Sequence, residues 1–267
     1  MSEKKRRFVT AQEIDGMTAI KSPHAHELES LGKAKVDIFL KNKKRRIKIL
    51  VENNLNGRVE NLGFGEDYTV TFEFFPEVMI HLLFYNYEDE EDLAMGEAEI
   101  KVLFSGERVM WVPTEDSVSL LESTLEYLEN LLSINPEIYG LSGEKSELLK
   151  TAITQREEPF KYLKSEHLND LAIFVGGNIT QNSMSWTLSK TYFKGITVSA
   201  IYNLKNHQLD LGYEGENLIR FNNYARDQLG IFLLNHCLRF IAVTYPTIKM
   251  PNIVKQTFSY SYIKKYL

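Results

Sequence analysis

Asp92, Glu99 and Lys101 are the residues whose types and spacing come nearest to a catalytic set. Many metal-dependent nucleases carry an acid-x-Lys pair on a core strand with a further acid upstream. The acids hold a divalent ion and the lysine polarises the attacking water. On a strand, Glu99 and Lys101 share one face. The competing reading makes them a solvent-facing strand edge, with Ala98, Ile100, Val102 and Phe104 as the buried side. The gap of seven from Asp92 to Glu99 is tight for a shared ion. Just upstream, Glu88, Asp89, Glu90, Glu91 and Asp92 form an unbroken acidic run. It lacks the calcium-loop pattern of alternating acids, a glycine and a later glutamate. Adjacent carboxylates also alternate in direction, so the run reads as an exposed turn that adds to an acidic binding surface.

Other groups have plainer readings. His24 and His26 would chelate zinc from a strand, but the capping signals around them say helix, where residues two apart diverge by roughly 200°. His236 and Cys237 are adjacent on an apolar helix, which makes the thiol a core group and not a nucleophile. The basic run Lys41 to Arg46 offers phosphate contacts, above all through Lys43, Lys44, Arg45 and Arg46. It also suits an import signal or an anionic membrane, and its default reading is a solvated hairpin turn. Trp186, Tyr192, Phe193 and Tyr202 lie near Lys190 and Lys194, where base stacking competes with sheet-core packing. The chain has no phosphate-loop, dinucleotide, nucleophile-elbow, H-E-x-x-H or C-x-x-C motif. The sequence calls for no cofactor and no bound metal.

The elements that must position these groups follow from pattern. The 267 residues, 43% of them apolar, suffice for one large domain or two small ones. The single cysteine suits a reducing compartment, and no signal-like apolar run follows the basic start, so the expected location is cytoplasmic. The charge is unevenly placed. Residues 1–58 carry about +7, residues 59–150 about −17 and residues 151–267 about +5. An acidic middle of that size repels itself. Either the basic thirds lie beside it, or it forms a binding face for a cationic partner.

Residues 1–20 read as a mobile arm. Ser22 as cap, Pro23 in the first turn and Gly32 as terminator predict a short helix. The alternation of Val36, Ile38 and Leu40, and then of Ile47, Ile49 and Val51, predicts a hairpin across the basic run. Strands are expected over "DYTVTFEFF", "VMIHLLFYNY", "GEAEIKVLF" and "ERVMWV", the second of them central. Val118, Leu121, Leu125, Leu128 and Leu132 mark a helix capped at Thr114. A boundary falls in "NPEIYGLSGEK". Beyond it come helices at "EKSELLKTAIT" and "PFKYLKSEHLNDLAIF", a loop at "VGGNITQNS" and three strands up to "QLDLGYE". A long helix with one apolar face and an edge strand at "FSYSYIKKYL" complete the chain.

The order "FFP", an apolar strand, an acid run, "AEIKVLF" and "PTED" opening a helix resembles a prokaryotic domain-of-unknown-function family over residues 68–128. That resemblance implies an α+β domain and no particular chemistry. The reading as a whole is an α+β protein of two antiparallel-sheet-plus-helix subdomains, 21–140 and 141–267. It would act without catalysis, through charged surfaces, on a protein partner. A metal-dependent nuclease and a nucleic-acid binder are the alternatives. No membrane is expected, and the basic segments would let a second copy meet the acidic face.

Overall fold

The computed structural model describes residues 6–18, 20–87, 98–140 and 145–266. These residues form an α+β fold with two antiparallel sheets, of five and four strands. The chain separates into two compact units, Met1–Ser133 with Ser259–Leu267, and Ile134–Phe258.

The first unit runs β1 (Phe8–Val9), α1 (Ala11–Ile14), α2 (Pro23–Leu40), α3 (Lys44–Asn54), β2 (Gly57–Glu60), β3 (Tyr68–Phe75), β4 (Val78–Asn86), β5 (Ala98–Ser105) and α4 (Thr114–Leu132). The strand order is β1-β5-β4-β3-β2, so the apolar run of β4 takes the central place its composition predicted. Alternation gives the sheet two unlike faces. Val70, Phe72, Ile80, Leu82, Phe84, Ile100 and Phe104 are buried on the face that packs against the helices. Phe39 of α2 stacks on Phe84 at 5.8 Å. The opposite face carries Arg58, Glu60, Thr69, Thr71, Met79, His81 and Ser105, aligned by the cross-strand register.

Several expectations are corrected here. Residues 6–18 are not a loose arm. Phe8 and Val9 pair with Ser105 and Phe104, and Thr10 with Glu13 closes a capping box on α1. The predicted hairpin over 34–51 is two helices. Ser22 and Pro23 do start α2, but the helix passes through Gly32 to Leu40. In α3 the buried residues are Ile47 and Val51, four apart, while Ile49 is exposed. That is helical spacing, and the strand reading had put Ile49 inside with them. Gly32 is needed for closeness and does not terminate the helix: a Cβ there would lie 3.0 Å from the Ile100 carbonyl oxygen. The segment "ERVMWV" holds a 3-10 turn, Val109–Trp111, in place of a strand. The tail is a helix, Tyr260–Tyr266, belonging to the first unit. The Ser259 N–H donates to the Trp111 carbonyl at 3.0 Å, and the Ser261 hydroxyl to the Ile14 carbonyl at 2.6 Å.

The second unit runs α5 (Glu147–Arg156), α6 (Leu168–Val175), β6 (Asn178–Gln181), β7 (Ser185–Phe193), β8 (Ile196–Asn203), β9 (Leu209–Glu214), α7 (Asn223–Thr244) and α8 (Asn252–Gln256). Its strands lie in chain order. The expected helix over 159–174 is broken into two 3-10 turns and α6, and the expected loop at 178–181 is the edge strand β6. Trp186, Tyr192, Phe193 and Tyr202 are all buried in the core. Lys190, on the same strand as Trp186, points its ammonium at the C-terminal end of α6, 2.9 Å from the Val175 carbonyl oxygen. A cation there complements the negative helix end.

Helix α7 is buried nearly all round and does not have the single apolar face expected of it. Its polar side chains are therefore matched inside: Asn235 accepts from Arg156 Nε at 2.8 Å, and Arg239 donates to the Thr257 carbonyl. His236 stacks on Phe174 at 4.6 Å. Cys237 is fully buried, and burial pushes its thiol pKa well up, as suits an inert core group. None of the described helices is long and apolar enough to cross a membrane.

The close approach of α2 to β5 yields a test. Gly32→Val should lower stability by about 1–3 kcal/mol, because the neighbouring atom is sheet backbone that has nowhere to move. A fall in the urea midpoint at unchanged slope would show it.

Candidate functional site

The acids Glu88 to Asp92 lie outside the described residues. The strands that flank them are antiparallel neighbours, with Asn86 opposite Ala98 and Tyr85 opposite Glu99. Glu99 and Lys101 do share a face, and they pair with each other at 3.2 Å. The Tyr87 hydroxyl donates to Glu99 at 3.1 Å, and the Lys101 ammonium sits 4.8 Å from the centre of the Tyr85 ring. Partial burial works against the Lys101 charge, but the Glu99 carboxylate beside it raises the lysine pKa. The acid is thus engaged by its own lysine and tyrosine. Among the described residues no three His, Cys, Asp or Glu side chains converge as a metal site. His24 binds Asp15 at 3.2 Å in the first turn of α2.

The basic run lies at the corner between α2 and α3. Three of its cations are used within the unit. Lys41 pairs with Asp37, Lys44 donates to the Asp67 carbonyl at 3.1 Å, and Arg46 donates to the Leu132 carbonyl at 2.9 Å. Lys43 and Arg45 are exposed, and neither makes an ion pair among the described residues.

The acids of α4 make the clearest surface feature. Glu115, Glu122, Glu126 and Glu129 are seven, four and three apart, which puts them on one exposed stripe. Lys35 pairs with Glu129 at 2.6 Å. No ion pair among the described residues reaches Glu115, Glu122 or Glu126. Partial burial, and then the neighbouring Glu122, push the Glu126 pKa up, with Lys35 opposing and Glu129 adding. The helix carries like charges one turn apart on its outer side.

Sequence reasoning missed a buried polar chain on the other face of the five-stranded sheet. Glu60 accepts from the Thr71 hydroxyl at 2.6 Å and from Arg58 Nε at 2.9 Å. Thr71 Oγ1 lies 2.8 Å from His81 Nδ1, and His81 Nε2 lies 2.7 Å from Ser105 Oγ. Burial disfavours a charged Glu60, but the bonds from Thr71 and Arg58, and the charges of Arg58 and Arg6, hold its carboxyl pKa below the usual range. Since the Thr71 proton goes to Glu60, Thr71 must accept from His81 Nδ1–H, and His81 Nε2 must accept from the Ser105 hydroxyl. Burial pushes His81 down to about 4, with the Arg6 charge adding and Glu60 opposing.

This order of donors is that of a proton relay behind an activated hydroxyl. Ser105 and His81 are both 0% exposed, however, and the open cavity of about 590 Å³ beside Met79 and Gly106 is not lined by Ser105. The chain of bonds acts as an internal brace across four strands. Alternation and the turn at Pro76-Glu77 would by themselves set Thr71 opposite Leu82. A β-bulge between Glu73 and Phe75 shifts the register by one and brings Thr71 opposite His81, which is why the sequence pattern did not show the pairing.

No family model, curated protein or solved structure matches the chain, so its chemistry rests on its own geometry.

The brace makes stability depend on pH. The unfolded chain protonates His81 near its ordinary value, 6.5, and the folded chain only near 4. The stabilisation is complete above about 6.5 and is lost as pH falls through about 4, a difference of up to about 3 kcal/mol. His81→Gln should flatten the slope of urea stability against pH in that window. Thr71→Val should cost about 1–3 kcal/mol at neutral pH by stranding both of its partners.

Proposed function

We propose that the protein acts without catalysis, by binding a basic protein partner through the acidic side of its first unit. One observation carries this reading: the outer stripe of α4 at Glu115, Glu122 and Glu126, where the helix keeps like charges together. Like charges at i,i+4 destabilise a helix by a few tenths of a kcal/mol per pair, so a stripe of them works against the fold that carries it. A complementary cationic surface would remove that repulsion and steer encounter. The acidic run Glu88 to Asp92 belongs to the same reading as a second contact.

The double variant Glu122→Gln/Glu126→Gln should melt at the same temperature or slightly higher. It should also lose the basic protein that full-length bait retains at low salt and releases at high salt. Retention of the same partner by the variant would refute this role for α4.

A second reading rests on the exposed pair Lys43 and Arg45, which suit phosphate contacts on a nucleic acid. Lys43→Ala/Arg45→Ala should leave the fold intact and reduce the salt slope of RNA or DNA retention by about two. An unchanged slope would remove this reading.

A further inference from the structure

Phe8, Ser105 and Met79 stand in one row across β1, β5 and β4. Just outside that row, at one end of the five-stranded sheet, lies the open cavity of about 590 Å³. Its size is that of a small-molecule site. Its apolar wall is Val9, Met79, Val109 and Met110, and the two methionines are half-buried. Arg6 and Arg7 enter from the β1 side, Glu77 from the β4 side, and Glu107 from the end of β5 between them.

The charges on the two sides do not cancel across the gap. Arg6 and Glu77 each lie two residues beyond the row, on chains that flank β5 and so run about 10 Å apart. Among the described residues no ion pair joins Glu77 to either arginine. Arg6 approaches Glu60 only to 3.5 Å, and Glu60 already takes Arg58 at 2.9 Å. Arg7 comes no nearer to Glu13 than 4.0 Å, and its side chain is 82% exposed. Charge-assisted bonds run to about 2.7–2.9 Å, so both guanidinium groups can still take a closer carboxylate.

Glu77 is held there against its backbone preference. Its φ is +64°, in the left-handed region that glycine and asparagine adopt most easily. Two contacts fix that backbone. The Arg108 N–H donates to the Glu77 carbonyl at 3.1 Å, and a Cβ on Gly106 would strike the same oxygen. The turn asks for glycine and carries a glutamate, whose carboxylate accepts the Glu107 N–H at 3.3 Å and lines the cavity. Strain kept at a cavity wall directs attention to the side chain that the strain retains.

We propose that this cavity binds a free dipeptide with apolar side chains, its carboxylate on Arg6 and Arg7 and its ammonium on Glu77. The two walls of opposite sign call for a ligand charged at both ends, and the apolar wall between them calls for an uncharged middle. A free amino acid holds its charges too close together to reach both walls. Two extended residues, about 7 Å long, hold them apart on the scale of the gap. Met79 and Met110 are unbranched and adaptable, so the site reads the charged ends strictly and the apolar side chains loosely. It shares no residue with the α4 stripe, and the two proposals stand or fall separately.

The test titrates the full chain with the dipeptide Leu-Leu, followed by calorimetry and by the methyl resonances of labelled methionine. Leu-Leu should saturate with a dissociation constant below about 1 mM and shift the methyls of Met79 and Met110. Acetylating its amine, amidating its carboxylate or shortening it to leucine should each weaken binding at least about tenfold. Glu77→Gly should melt at the same temperature or higher, because it relieves the backbone, and should bind Leu-Leu at least about tenfold more weakly. It should bind the acetylated dipeptide as the native chain does. Glu77→Asn, which also tolerates positive φ, should repeat that pattern. Arg7→Gln should weaken Leu-Leu and leave the amidated dipeptide unaffected. Absence of saturation, shifts confined to other methionines, or undiminished binding of Leu-Leu by Glu77→Gly and Glu77→Asn would each overturn the proposal.

Discussion

A neutral histidine on the central strand of the five-stranded sheet constrains everything around it. His81 has one ring N–H to donate and one lone pair to fill, and no solvent reaches it. Both needs must be met from adjacent strands, by Thr71 on β3 and Ser105 on β5. Each partner has its own requirement, and Glu60 on β2 meets that of Thr71. Slipping any strand by one residue would turn its member to the other face. The polar face therefore specifies register, while the helix-covered face supplies most of the apolar burial. A buried polar network fully satisfied in this way gives uniqueness that packing alone does not.

The parts of this fold legible in the sequence are those in which one periodicity had no competitor. β4 is apolar almost throughout, and α4 repeats leucines at three and four. The misread segments offered two periodicities at once. Ile47, Ile49 and Val51 alternate, yet Ile47 and Val51 alone are helical neighbours, and the contacts of α3 with β2 choose between them. The tail also alternates, but Ser259 accepts from the Tyr262 N–H at 3.2 Å and opens a helix, with Tyr262 set 5.3 Å from Trp111. Gly32 looked like a stop because a glycine in a helix is costly, and the reason for it was a strand more than sixty positions away.

The charges behave similarly. The uneven distribution of acids was plain in the sequence, but its partition was not. Glu60 and Glu99 are held by arginine, lysine or hydroxyl groups of their own unit, while three acids of α4 have no ion-pair partner among the described residues. The basic run divides in the same way, since Lys44 and Arg46 secure backbone carbonyls and, among the described residues, Lys43 and Arg45 do not. A charge count gives the total, and only helix phase and corner geometry separate the structural ions from those on offer.

The division of the chain has a consequence for its biogenesis. The first unit is assembled from two separate stretches, with every residue of the second unit between them. On the ribosome, Ile134–Phe258 emerge complete while the first unit still lacks its closing helix. Until Ser259 and Ser261 arrive, the carbonyls of Trp111 and Ile14 await the donors that the native state gives them. The inserted unit is therefore complete along the chain before the unit that encloses it, reversing the N-terminal-first order usual for domains strung in line.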